Sequence, residues 1–281
     1  MRSRVVVLRT LLPPYFFTLP NLKTLTISSQ KGGVGKTTVA INLSYSLARR
    51  GWHTLLVDTD PQGAVALSLS KRARRYRGFY DVVVRGESVL DLVMETMLPE
   101  LKVLTAGRRE GHGGGLNGEG GAAGVQGVLR EAEQMGIDIM VMDTSAGVFG
   151  VTEDVLRFSD FVLIPQQAEP LGVRSIPQIL EVIADLRGRG AAVQVAGILL
   201  TMMQDDREEC VKVGEELRGL ISQGLVLDTE IPRDDAFVKA SVRGVPVSLL
   251  YKKPPAAARV FDDLAAELEE RMELVPTRAK A

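Results

Sequence analysis

Leu22-Lys23-Thr24-Leu25-Thr26-Ile27-Ser28-Ser29-Gln30-Lys31-Gly32-Gly33-Val34-Gly35-Lys36-Thr37-Thr38 is the stretch that decides the fold. An apolar run leads into a glycine loop, and a helical pattern from Val39 to Arg50 follows and stops at Gly51. Strand, glycine loop and helix form the context of a phosphate-binding loop. The glycines let backbone N–H groups turn inward around phosphate oxygens, and the helix N-terminus adds the positive end of its dipole. Lys36 is spaced to reach the β- and γ-phosphates of a nucleoside triphosphate, and the Thr37 hydroxyl is suited to Mg²⁺.

The loop also departs from the common pattern G-x-x-x-x-G-K-[ST]. Gln30 stands where the first glycine belongs, and a second lysine, Lys31, opens the loop. This K-G-G-x-G-K-[ST] form resembles the deviant Walker A ATPases: ParA/Soj, MinD, the arsenical-pump ATPase and the nitrogenase iron protein. The resemblance implies an ATP-binding cradle made of Lys31, Gly32, Gly33, Val34, Gly35, Lys36, Thr37 and Thr38. It also implies a homodimer that sandwiches two ATP molecules, with Lys31 crossing the interface to the partner's nucleotide.

The chain has 281 residues, of which 45% are hydrophobic and 25% charged, an ordinary globular balance. A net charge of −1 gives no global attraction to nucleic acid, so DNA binding requires a local basic patch. A single cysteine, Cys210, allows no internal disulfide, points to the cytosol, and excludes the nitrogenase iron protein with its two cluster cysteines per chain. No stretch approaches the roughly 20 apolar residues of a membrane span. Residues 1–21 read as a flexible arm or an upstream mis-start, because arginines and Pro13-Pro14 interrupt the apolar core a signal peptide needs.

Strand and helix patterns alternate, which predicts an α/β P-loop NTPase with a mostly parallel sheet and helices on both faces. The expected organisation is one ATPase domain over 22–275 and a tail over 276–281. Expected strands are Leu22–Ile27, Thr54–Val57, Val103–Thr105, Ile137–Met142, Phe161–Ile164 and Val193–Leu200. Expected helices include Thr37–Arg50, Ser88–Met97, Gln126–Met135, Ser175–Arg189, Arg207–Leu220 and Ala257–Glu273. The glycine-dense segment 107–127 reads as a flexible surface loop, with a moving switch as the alternative.

Two strand ends carry carboxylates. Leu55-Leu56-Val57-Asp58-Thr59-Asp60-Pro61-Gln62-Gly63 places Asp58 and Asp60 where ligands meet open α/β sheets. The string looks like the ParA/Soj form V-D-x-D-P-Q-G, which implies that Asp60 orients the attacking water and that Asp58 lies nearer the metal and the loop. Ile139-Met140-Val141-Met142-Asp143 is a Walker B pattern, whose carboxylate serves Mg²⁺. ParA proteins continue Asp-Thr-Pro-Pro, whereas this chain continues Asp143-Thr144-Ser145-Ala146-Gly147.

The C-terminal third is similar to ParA in Gly197-Ile198-Leu199-Leu200-Thr201-Met202, in Ile231-Pro232-Arg233 and in Gly244-Val245-Pro246-Val247. The resemblance spans about residues 22 to 273. It implies that Thr201 and the Pro232 loop lie near the adenine. It also implies that Arg207 and Arg233 bind DNA without sequence preference, in a patch that Lys239 and Arg243 extend. Lys71-Arg72-Ala73-Arg74-Arg75-Tyr76-Arg77 reads as a solvated helix face or as a further nucleic-acid contact.

The C-terminal helix pattern is acidic, which argues against MinD-like attachment to anionic lipid. The expected role is therefore chromosome or plasmid partitioning with a ParB-like partner in a cytoplasmic, nucleoid-associated setting. The alternatives are the same switch positioning another cargo on the nucleoid, and a membrane-bound regulator of division-site placement. A metabolic ATPase lacks any substrate motif here.

Overall fold

The computed structural model describes residues 22–69, 76–107, 119–169, 175–204, 206–221 and 224–275. Among these, eight strands form one sheet: β1 (Lys23–Ser29), β2 (Thr54–Asp58), β3 (Met94–Glu95), β4 (Leu101–Leu104), β5 (Ile139–Ala146), β6 (Phe161–Gln167), β7 (Gln194–Met203) and β8 (Ile231–Pro232). Their order is β3-β4-β2-β5-β1-β6-β7-β8, and only β3 against β4 is antiparallel. The described helices are α1 (Lys36–Arg49), α2 (Ala64–Leu69), α3 (Phe79–Arg85), α4 (Val89–Leu92), α5 (Glu119–Gln134), α6 (Val151–Arg157), α7 (Ile176–Gly188), α8 (Glu208–Leu220), α9 (Asp235–Arg243) and α10 (Ala256–Arg271).

Most strands are apolar on both sides, and their two-residue period sorts them between two cores; β1 instead puts Thr24 and Thr26 on the second side, bonded to Asp160 and Ser159. Leu25, Ile27, Leu56, Ile139, Val141, Leu163 and Leu199 face one side, where they meet Leu43 and Leu47 of α1 and Phe261, Leu264 and Leu268 of α10. Leu55, Val57, Met140 and Met142 face the other side, against α3 and α5. Val162, Ile164, Ile198 and Leu200 share that second side further along and meet α7 and α8. Helices thus cover both faces, as the alternation predicts.

β1 lies between β5 and β6, so the chain winds outward from it in both directions. That reversal opens a crevice beyond the strands' C-terminal ends, which is where such sheets bind ligands. The loops after β1, β2 and β5 all open into it.

Several expected boundaries are corrected. The helix expected over Ser88–Met97 is only α4, capped by Ser88, whose Oγ accepts from Leu90 N. Val93 already has extended backbone, and Met94–Glu95 pairs with Lys102 and Val103 at the sheet edge. Ladder hydrogen bonds and the Glu95–Lys102 ion pair there replace a further helical turn.

β4 comes earlier than expected, and β5 begins two residues later and runs on to Ala146. The helix expected from Gln126 starts at Glu119, inside the glycine-dense segment. Gly124 explains part of this: a Cβ there would sit 2.6 Å from Val83 Cγ1, so glycine lets α5 close on α3. The rest of the segment, 108–118, lies outside the described residues, as do the arm 1–21, the cluster Lys71–Arg75 and the tail 276–281.

Candidate functional site

The glycine loop turns directly into α1. Gly33 and Gly35 have φ of +76° and +92°, a left-handed backbone that a side chain would strain. Gly35 is also the α1 N-cap, and its carbonyl accepts from Val39 N at 2.8 Å. The first amides of α1 therefore point at the crevice with their dipole.

Lys36 is buried at the start of α1, and its Nζ donates to the carbonyl of Lys31 at 3.2 Å. Burial lowers its pKa, while Asp143 and Asp60 oppose that shift. Thr37 Oγ1 donates to Asp143 Oδ2 at 2.7 Å, so the two residues expected on the metal meet directly. Thr201 is buried, and its hydroxyl donates to the Val34 carbonyl at 2.9 Å, which ties the loop to β7.

Asp58 and Asp143 stand side by side in the register of β2 and β5. Asp58 spends both oxygens on backbone: Oδ1 accepts from Asp60 N at 3.1 Å and Oδ2 from Val65 N at 3.0 Å. It therefore shapes the turn that carries Asp60 while standing against Asp143, one of the two residues expected on the metal. Burial pushes its carboxyl up to about 7. Asp60 is half-exposed, and its Oδ1 accepts from Gln62 N at 2.9 Å.

Burial, with Asp58 alongside, pushes the Asp143 carboxyl up to about 8. Its Oδ1 is buried with no hydrogen-bond partner among the described residues, an acceptor that a cation would satisfy. Among the described residues no group of three or more His, Cys, Asp or Glu is placed to hold a metal. One carboxylate beside one hydroxyl, Asp143 and Thr37, suits Mg²⁺, which keeps its waters and takes one or two protein oxygens plus substrate phosphates.

A raised carboxylate stabilises the fold below its unfolded pKa, and that contribution is lost as pH rises through the folded value. Ligand-free protein should therefore lose stability between about pH 4 and about 8. Asp143→Asn should flatten that slope and raise stability at pH 8 by about 1–2 kcal/mol, read by urea denaturation without nucleotide; a less stable variant at pH 8 contradicts this account.

Beside the loop, a cleft of about 410 Å³ opens between α1 and α9. Gly35, Thr38, Val39, Thr201, Pro232 and Phe237 are among its walls. The two residues expected near the base, Thr201 and Pro232, thus face one cavity of ligand size. Met202, also in the wall, has φ +56°, a conformation that non-glycine residues hold mainly where surrounding structure imposes it.

Arg207, Arg233 and Lys239 are exposed and form no ion pair among the described residues. Arg233 sits at the mouth of the cleft, with its N bonded to the Met203 carbonyl at 2.9 Å. Arg243 is different: its Nη1 donates to the Leu250 carbonyl at 2.7 Å and its guanidinium lies over the Tyr251 ring. Arg243 is nonetheless exposed, as the other three are.

Sequence reasoning missed Glu169, whose carboxylate pairs with Lys31. It also missed Phe237, Val238 and Val242 in the cleft. The 138-residue separation of Lys31 and Glu169 leaves no local signal for their contact.

Loop, helix terminus and strand-end carboxylates in this topological relation define the P-loop nucleotide-binding class. The AAA domain family model (AAA_31) matches residues 22–193. The chromosome partitioning protein ParA of Caulobacter vibrioides is 31% identical over 258 residues, covering 89% of this chain and 95% of the relative. The sporulation initiation inhibitor protein Soj of Bacillus subtilis is 30% identical, covering 88% and 98%. The chain belongs to the ParA/Soj family of P-loop ATPases. The fold is also that of cobyrinic acid a,c-diamide synthase from Mycobacterium smegmatis, solved with ADP and magnesium: TM-score 0.74, 22% identity, 90% of this chain and 96% of that one.

Proposed function

We propose that this protein is an ATP-hydrolysing partitioning switch: it dimerises on ATP, binds DNA without sequence preference, and is released when a ParB-like partner stimulates hydrolysis. The observation that carries this reading is the convergence of Lys36, Thr37, Asp60 and Asp143 at one loop in a chain of ParA/Soj kind. Phosphoryl transfer in such a site is mainly positioning and charge stabilisation.

Loop amides and Lys36 hold the phosphates, and Lys31 adds charge from the neighbouring subunit. Thr37 and Asp143 are the residues that would hold Mg²⁺, which supplies charge neutralisation at the phosphate oxygens. Asp60 orients water, and the Asp58 carboxylate fixes the turn from which Asp60 projects. The base lies in the cleft beside Thr201 and Pro232.

Arg233 lines that cleft, Lys239 is exposed on α9, whose residues form part of the cleft wall, and Arg207 caps the start of α8, which supports a nucleic-acid face close to the nucleotide. No described helix is long and apolar enough to cross a membrane, and the apolar face of α10 is spent on the core. The nucleoid-associated location rests on the ParA and Soj relatives and on the exposed Arg207, Arg233 and Lys239.

The test is DNA binding by the purified protein with ADP, with ATP, and with ATP plus Arg233→Ala, across a salt series, with size read by light scattering. Binding by an ATP dimer alone is expected, with Arg233→Ala several-fold weaker and its salt slope smaller by about 1 or 2. An ATP dimer that ignores DNA overturns the partitioning reading.

A further inference from the structure

We infer that Glu169 is a positioning residue: it holds Lys31 on its own subunit, and the pair must break before two subunits close over ATP. This rests on the reading that Lys31 acts across a dimer interface. The lysine that marks this loop pairs with the Glu169 carboxylate, in the turn after β6. The two side chains are 37% and 31% exposed, so the pair sits at the rim of the crevice and an approaching surface can reach it.

Both ends of the pair are fixed by backbone. Lys31 N donates to Ser29 Oγ at 3.3 Å, and the Lys31 carbonyl accepts from Lys36 Nζ. On the other side, Glu169 N donates to the Gln167 carbonyl at 2.8 Å and Ala168 N to the Thr201 carbonyl at 3.2 Å. Thr201 is also the residue whose hydroxyl holds Val34 in the loop. One residue of β7 thus sets the distance between the glycine loop and the Glu169 turn. The contact is built into the fold and is not a chance meeting of two long side chains.

A lysine ammonium is a compact point charge. It has three donors, but reaching a phosphate on the other subunit carries it across the interface and away from the carboxylate of its own subunit. Dimer closure is therefore an exchange of partners, from Glu169 to phosphate. The exchange begins within the site. When phosphate draws Lys36 Nζ away, the Lys31 carbonyl loses its donor and the segment carrying Lys31 loosens. Empty chains keep the latch shut, and a bound triphosphate loosens it at its base.

A partly exposed pair contributes little by itself, but two pairs break for each dimer formed. Glu169→Gln should lower the protein concentration needed for half-dimerisation with ATP and Mg²⁺ by about 2- to 30-fold. The measurement is sedimentation or light scattering over a concentration series, made in an Asp60→Ala background so that ATP is not consumed. ADP samples should remain monomeric, and the melting temperature should stay near that of the parent. A loss of fold alone does not tighten a dimer, so tightening separates the latch from a structural role. Unchanged or weaker dimerisation in Glu169→Gln overturns the latch. Lys31→Ala is run beside it: dimerisation at the parent's concentration there overturns the interface reading itself, whatever Glu169 does.

Discussion

Lys36→Ala is expected to weaken ATP binding by at least about 100-fold and to abolish ATP-driven dimerisation. Lys36 is buried, and burial lowers its pKa, so its charge is held there at a cost that Asp143 and Asp60 help offset. A triphosphate bound without that ammonium would lose the positive charge that stands between it and the carboxylates of Asp143 and Asp60. Charge-assisted hydrogen bonds contribute about 1.5–3 kcal/mol each, and this lysine is placed to make two. The core is untouched by the change, since among the described residues Lys36 Nζ bonds the Lys31 carbonyl alone. Circular dichroism should therefore match wild type while titration with a fluorescent ATP analogue shows the loss. Binding within a few-fold of wild type would remove Lys36 from the phosphate site.

Asp60→Ala is expected to do the opposite to the dimer. Hydrolysis should fall by about 100-fold or more, the usual scale for losing a group that positions or activates water. Nucleotide binding should persist, because among the described residues the Asp60 carboxylate bonds the Gln62 backbone and no part of the glycine loop. The outcome is a long-lived ATP dimer, read as phosphate release under single turnover together with size by light scattering. Asp58→Ala is not an equivalent control. It strips two backbone acceptor contacts from the turn and so disturbs Asp60 as well. If Asp60→Ala hydrolyses ATP at the wild-type rate, water is positioned by some other group.

How far the sequence carried this account depended on the range of the interactions involved. Strand and helix identity was legible where apolar runs were long, as in β5 and β7, because burial on both faces demands such runs. β3 and β8, two residues each, were illegible, since a sheet edge supplies their pairing and their own sequence does not. The segment 119–125 looked like a loop by composition, yet it is helical because Gly124 lets α5 approach Val83. Likewise Gly244-Val245-Pro246-Val247 read as a family signature without a mechanism. In the fold Gly244 ends α9 at φ +74°, and Val247 N donates to Asn42 Oδ1 on α1 at 2.7 Å.

The sequence by itself determined the phosphate loop, the carboxylates at the ends of β2 and β5, and the parallel sheet. These are short-range patterns, in which spacing along the chain dictates which groups share a turn, a strand end or a helix N-terminus. Tertiary structure alone decided what each charge does. It turned Asp58 inward onto its own backbone, left Asp143 Oδ1 without a hydrogen-bond partner among the described residues, set Arg243 on Leu250 and Tyr251, and set Lys31 against Glu169. Those outcomes follow from contacts between distant segments. No local pattern encodes them, because the energy of a charge depends on how deeply it is buried and on what the fold brings beside it.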